Sequence, residues 1–197
     1  MSALYPVYIK LEHQPCLVVG GGRVAERKVE RLLKSGAEVT VVSPDLTPEL
    51  EKWAMEKKIT WIARPFQTDD AKTAFLTIAA TDDETINRLV ESKVRAMKRL
   101  INVVDVPDQC NFYVPSIVER GDLMIAISTN GKSPALARYL KEKIYTWLPK
   151  DIDRDLEQLG QDREEQKKST PDIELRKQRA EQLAQKIINR IETQDLS

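Results

Sequence analysis

Apolar positions recur along the N-terminal half of this chain in two alternating rhythms, which divide it into strands and helices. Leu17-Val18-Val19 is a short continuous apolar run, the pattern of a strand buried on both faces. Val24, Val29, Leu32 and Leu33 then follow at helical spacing, and Lys34-Ser35-Gly36 ends that helix with a C-terminal glycine. Glu38 to Ser43 is a β-branched strand. Thr47-Pro48 supplies an N-cap and a first-turn proline for a helix reaching about Lys57, and Ile59 to Ile62 is the third strand. Phe75 to Ala80 is the fourth. Thr81 and Glu84 have capping-box spacing for a helix to about Lys98, and Leu100 to Val104 is the fifth strand. Strands and helices in strict alternation predict an α/β fold, a Rossmann-like doubly wound parallel sheet over residues 1–112.

After Asn111 the rhythm changes. Phe112 to Val114, Ile117-Val118 and Leu123 to Ile127 read as short strands, the last two joined by a turn at Arg120-Gly121-Asp122. Ser133-Pro134 opens a helix whose apolar stripe is Leu136, Leu140, Ile144 and Trp147, closed by Pro149. A hairpin and one helix bury too little surface to stand alone, so residues 113–148 are expected to form a dimerisation segment. Residues 149–197 are charge-rich and poor in strand formers. Leu156 and Leu159 mark a short helix there. Ala180, Leu183, Ile187 and Ile191 mark another, with a break at Ser169-Thr170-Pro171.

Composition narrows the function. The chain's 31 basic and 31 acidic residues balance, so there is no basic excess of the kind that nucleic-acid binding requires. No apolar run is long enough to span a membrane, and the N-terminus lacks the basic start and apolar core of a signal peptide. Cys16 and Cys110 are far apart and in no C-x-x-C pair, which argues against a disulfide framework or a zinc site. A cytoplasmic protein is expected. His13 is the only histidine, and its place ahead of the first strand suggests a partly exposed residue rather than a catalytic one.

The chemistry is concentrated between the first strand and the first helix. Gly20, Gly22 and Ala25 form G-x-G-x-x-A in the strand-turn-helix context of a dinucleotide site. Gly20 allows the tight turn, Gly22 lets backbone approach a pyrophosphate, and Ala25 lets helix pack close to strand. The helix N-terminus presents N–H groups to the phosphates. At the end of the second strand, where such folds place an acid on the adenine ribose, stands Ser43, with Asp45 two residues on. The displaced carboxylate leaves NAD and NADP both open. No arginine adjoins Ser43, so NAD is the expectation. Gly22, Ser43, Thr81 and Asp105 all fall at the carboxyl edge of the sheet, where ligands of such folds bind, and are expected to share one crevice. Asp105 reads equally well as a turn-forming residue ahead of Pro107 and as a general base whose partial burial would raise its pKa.

Three segments, VVGGGRVAERK, NVVDVPDQCNFYVPSIVERGDL and STNGKSPALARYLKEKI, resemble the precorrin-2 dehydrogenase family, the siroheme-synthase dehydrogenase/ferrochelatase enzymes of tetrapyrrole biosynthesis, in a stand-alone form. The likeness is collinear from about Tyr5 to Trp147. It implies NAD-dependent oxidation of precorrin-2 to sirohydrochlorin, with insertion of ferrous iron as a second activity of some members. It implies that Arg23, Val24, Pro44 and Asp45 line the NAD site, that Asp105 is the acidic residue of the active site, and that the protein is a homodimer. The tetrapyrrole is polyanionic. Ser128, Lys132 and Arg138 are the candidates to meet its carboxylates, with Arg120 a weaker one, and ordinary solvated surface is the competing account of all the cations. No His, Cys and carboxylate cluster would hold iron in advance, so no metal ligand is assigned. The alternative is a non-catalytic NAD-sensing dimeric module, which the sheet and glycines would serve equally well. A different small-molecule oxidoreductase would want a Tyr-x-x-x-Lys pair. Tyr145 lacks it, since Pro149 stands where the lysine would be.

Overall fold

The computed structural model describes residues 4–194. The extreme ends of the first and last expected segments, residues 1–3 and 195–197, lie outside the described residues. The chain divides at Val114–Pro115 into two compact units.

In the first unit the predicted alternation is realised as β1 (Pro15–Val19), α1 (Arg23–Lys34), β2 (Glu38–Val42), α2 (Pro48–Met55), β3 (Ile59–Ile62), β4 (Leu76–Ala79), α3 (Glu84–Ala96) and β5 (Leu100–Val103). All five strands are parallel, in the order β3-β2-β1-β4-β5. The sheet therefore winds outward in both directions from β1 and β4, and strand order reverses between them. Successive strand residues point to opposite faces. Val18, Val41 and Ile78 meet Ala25, Val29 and Leu32 of α1 and Leu50 of α2 on one face. Leu17, Val19, Ala79 and Val103 meet Val90 and Val94 of α3 on the other. Leu50 is fully buried, and cutting it to Ala would cost about 2–5 kcal/mol. Cys16 belongs to this core, and burial pushes its thiol pKa up to about 11. His13 is exposed, as expected, 3.7 Å from Glu38.

Two local expectations are corrected here. The N-cap of α3 is Asp83, whose Oδ1 accepts from the Thr85 and Ile86 N–H groups at 2.7 and 3.2 Å. Thr81 does not form the capping box, because its hydroxyl is held by Asn87 Oδ1 at 2.9 Å. Phe112 to Val114 is not a strand. The chain there is fastened to β5 by side chains instead, Asn102 Nδ2 donating to the Phe112 carbonyl at 3.1 Å.

The second unit holds an antiparallel hairpin, β6 (Ser116–Arg120) and β7 (Leu123–Ile127), with Gly121 at φ 54° in its two-residue turn. Helices α4 (Pro134–Trp147), α5 (Ile152–Ser169) and α6 (Ile173–Gln194) follow. Arg120 ties the hairpin to α4, its guanidinium donating to the Tyr145 carbonyl at 2.7 Å and lying 4.1 Å from that ring's centre. Of the stripe expected on α4, Leu136, Leu140 and Trp147 stay exposed within the chain, and the residue α4 buries is Ala137. The helix marked by Leu156 and Leu159 is long rather than short, at 18 residues. Its Glu, Gln, Lys and Arg positions are strong helix formers that pair one turn apart, as Gln158 does with Asp162 and Lys167 with Glu164. Arg190 of α6 pairs with Asp151 and Asp155 at the start of α5. Among the described residues no helix is long and apolar enough to cross a membrane.

Candidate functional site

A cavity of about 790 Å³ in the first unit opens beyond the carboxyl ends of β1, β2 and β4. It straddles the point where strand order reverses, the position at which doubly wound sheets bind ligands. Gly20, Gly22, Arg23, Val24, Ser43, Pro44, Asp45 and Thr81 all line it, so every residue expected around a cofactor is brought to one place.

The glycines differ in what they do. Gly20 has φ 117°, and a Cβ there would sit 2.4 Å from the Ala80 carbonyl oxygen, so the turn out of β1 needs glycine. Gly22 has an ordinary φ of −82°, and a Cβ there would meet nothing within 4 Å. Its open face is room for a ligand. Gly21, which the motif leaves unspecified, is as constrained as Gly20. A Cβ there would lie 1.9 Å from the Asp45 carbonyl oxygen, because the Gly21 carbonyl accepts from Thr47 N–H at 2.9 Å and draws the two loops together.

Helix α1 begins at this cavity without a side-chain cap, since its N-cap is Gly22. The first intrahelical bond runs from Glu26 N–H to the Gly22 carbonyl at 3.0 Å, so the N–H groups of Arg23 and Val24 are not used by the helix itself. Two adjacent donors at the positive end of a helix, beside an open glycine, are the donor set that a pyrophosphate takes. On the β2 side Ser43 is buried, and its carbonyl accepts from Trp61 Nε1 at 3.0 Å, while Asp45 is exposed. Thr47 Oγ1 donates to Glu26 Oε2 at 2.5 Å, linking α1 to the start of α2. Arg64, which follows β3, is held by both oxygens of Asp70, at 2.6 and 2.8 Å. On the β4 side Asn87 was not singled out from the sequence, yet it closes the loop: its Nδ2 donates to the Thr81 carbonyl at 2.9 Å.

Asp105 is the exception to the shared crevice. Three of the four strand-end residues line the cavity and Asp105 does not. It follows β5 in a left-handed conformation, φ 60°, a region Asp tolerates better than most residues. The turn carries it toward α1, where its charge acts on Lys28. It is also exposed, so the partial burial expected of its carboxyl is absent. Lys28 is half-buried. Its pKa is lowered, first by burial and then by Arg27, with Asp105 and Cys110 pulling the other way. The sequence reading missed this lysine, which sits on the α1 face turned toward the end of β5.

In the second unit Ser128, Lys132 and Arg138 are exposed around the β7–α4 connection. Ser128 Oγ accepts from Asn130 N–H at 3.1 Å, and Ser133 Oγ caps α4 by accepting from Leu136 N–H at 3.2 Å. The expected anion cradle is therefore partly filled by the chain's own serines. Arg120 is occupied by Tyr145. Among the described residues no group of three or more His, Cys, Asp or Glu is placed to hold a metal ion.

Residues 7–116 match the family model described as "Putative NAD(P)-binding", and residues 120–145 match the model described as "Sirohaem biosynthesis protein central". The siroheme synthase of Methylobacillus flagellatus is 49% identical over 144 residues, covering 73% of this chain and 31% of that protein. Siroheme synthase 2 of Klebsiella pneumoniae is 45% identical over 144 residues, covering 73% and 32%. The chain thus spans about a third of the length of these relatives, 31% in the first case. Among solved structures, SirC, precorrin-2 dehydrogenase, superposes with a TM-score of 0.74 at 26% identity over 94% of this chain and 100% of that one.

Proposed function

We propose, for a chain that belongs to the NAD(P)-binding family of sirohaem biosynthesis, the activity of a precorrin-2 dehydrogenase, producing sirohydrochlorin with reduction of NAD. The observation that carries this reading is the cavity at the strand-order reversal, where an uncapped helix and the open face of Gly22 meet. The likeness to SirC, precorrin-2 dehydrogenase, over nearly the whole chain supports the choice of substrate.

Bound in that cavity, NAD supplies the hydride acceptor. The chain's own residues do the rest. The N–H groups of Arg23 and Val24 would hold the pyrophosphate, and Ser43, Pro44, Asp45 and Thr81, which line the same cavity, would hold the rest of the cofactor. Arg64, held by Asp70, is not available to a 2′-phosphate, which favours NAD over NADP. Two electrons leave the macrocycle as hydride, and the Asp105 carboxylate takes the accompanying proton and returns it to water. Ser128, Lys132 and Arg138 meet the rim carboxylates. The same Asp105 would accept pyrrole protons if ferrous iron were then inserted as a second substrate. Residues 113–148 dimerise through the exposed face of α4, residues 1–112 bind NAD, and the protein works in the cytoplasm.

The test is anaerobic turnover of precorrin-2 with NAD, following NADH and sirohydrochlorin together. Equal amounts of both products are expected, with NADP a poorer acceptor. No turnover by folded protein that binds NAD would overturn the reading and leave the NAD-sensing module. Ferrous ion added after completion then reports metal insertion above the spontaneous rate.

A further inference from the structure

Strand β5 is an edge of the five-stranded sheet, so its outward backbone groups need partners that no sixth strand supplies. Ile101 is served by Asn111, whose Oδ1 accepts from Ile101 N–H at 2.8 Å and whose own N–H donates to the Ile101 carbonyl at 3.0 Å. Val103, the last residue of β5, is served by the Cys110 thiol. Sγ accepts from Val103 N–H at 3.2 Å and lies 3.2 Å from the Val103 carbonyl and 3.3 Å from that of Val106. The Cys110 side chain closes the neck of the loop 104–109 together with the backbone bond from Val106 N–H to the Val103 carbonyl at 3.3 Å, and Asp105 sits inside that loop at φ 60°.

We infer that Cys110 is a positioning residue: its thiol, bound to the backbone of Val103 and Val106, holds the Asp105 carboxylate in its left-handed turn. This deepens the proposed dehydrogenase reading and rests on it for the role of Asp105. Bonding to either carbonyl requires the S–H proton. Burial pushes the Cys110 thiol pKa up, against weaker downward pulls from the Val103 N–H, Arg95 and Lys28, so the donor is retained at neutral pH. A valine at this position would fill similar space and make neither bond. A serine would keep both donor and acceptor.

The experiment is a double-mutant cycle on the full chain. Cys110→Val should lower kcat by about 10- to 100-fold, the cost of a misplaced catalytic group, with NAD affinity kept, and Cys110→Ser should recover most of it. In an Asp105→Asn background, Cys110→Val should cost nothing further, because its effect passes through Asp105. Hydrogen exchange of the amides of 104–109 should accelerate in Cys110→Val and not in Cys110→Ser. A full multiplicative loss in the Asp105→Asn background would overturn the inference, as would unchanged kcat and exchange in Cys110→Val. If the wild type fails to turn over precorrin-2, the proposed function falls, and exchange in 104–109 alone decides the inference: unchanged protection overturns it, faster exchange upholds it. Should Cys110→Val not fold, Cys110→Ala, which also removes both bonds, carries the same comparison in both backgrounds.

Discussion

Gly21 and Gly22 are adjacent and chemically identical, yet the structure needs them for opposite reasons. A methyl at Gly21 would run into the Asp45 carbonyl, and one at Gly22 would meet nothing within 4 Å. Gly21→Ala should therefore destabilise the ligand-free protein by about 1–3 kcal/mol, the cost of overpacking, as read by urea unfolding. Gly22→Ala should leave that stability within about 0.5 kcal/mol and weaken NAD binding instead, as read by calorimetric titration. The role of Gly21 could not be read from the sequence, because the atom it must avoid lies on another loop. Asp105 makes the complementary case. Its place at the end of β5 was legible, but not its left-handed conformation or its place outside the cavity lining. Asp105→Asn keeps the shape and removes the base, so kcat should fall by about 10²–10⁴-fold with NAD affinity kept. Full activity in that variant would take Asp105 out of the proposed chemistry.

At the scale of elements, local chemistry was a good guide wherever the partner was close in sequence. Thr47-Pro48 and Ser133-Pro134 start α2 and α4 as expected, with both side chains accepting the N–H three residues on. It misled where a tertiary partner intervened. Phe112 to Val114 has the apolar character of a strand, but the Asn102 side chain holds the segment by donating to the Phe112 carbonyl. Thr81 has the spacing of a cap, but Asn87 claims it. The 3₁₀ turn Thr68–Ala71 escaped the sequence reading, and its stability should depend on pH. Hydrogen bonding to Arg64, aided by the Gln67 N–H at 2.8 Å, holds the Asp70 carboxyl below the usual carboxylate range despite its burial. A carboxylate with a lowered folded pKa stabilises the fold above its unfolded value of about 4 and loses that contribution as pH falls through the lower folded value. Asp70→Asn should accordingly be less stable than wild type at pH 7, with the gap closing as unfolding is measured down to pH 3. A gap that stayed constant across that range would contradict the pairing.

For the whole molecule the exposed apolar side chains of the second unit are the feature that calls for another surface. Leu136, Tyr139, Leu140 and Trp147 are all exposed on α4, more large apolar side chains than one solvated helix usually shows. The proposed homodimer would cover them. Light scattering should give twice the 22.5 kDa chain mass, and the double variant Leu136→Glu with Leu140→Glu should run as a folded monomer. A wild-type chain of single mass at micromolar concentration would contradict the dimer. The account as a whole comes down to where two ligands lie, and a crystal structure with NAD and a tetrapyrrole both bound tests that most directly. It should show the pyrophosphate on the N–H groups of Arg23 and Val24 and the macrocycle in contact with the Asp105 carboxylate. A tetrapyrrole bound away from Asp105, or a pyrophosphate elsewhere than the start of α1, would contradict it.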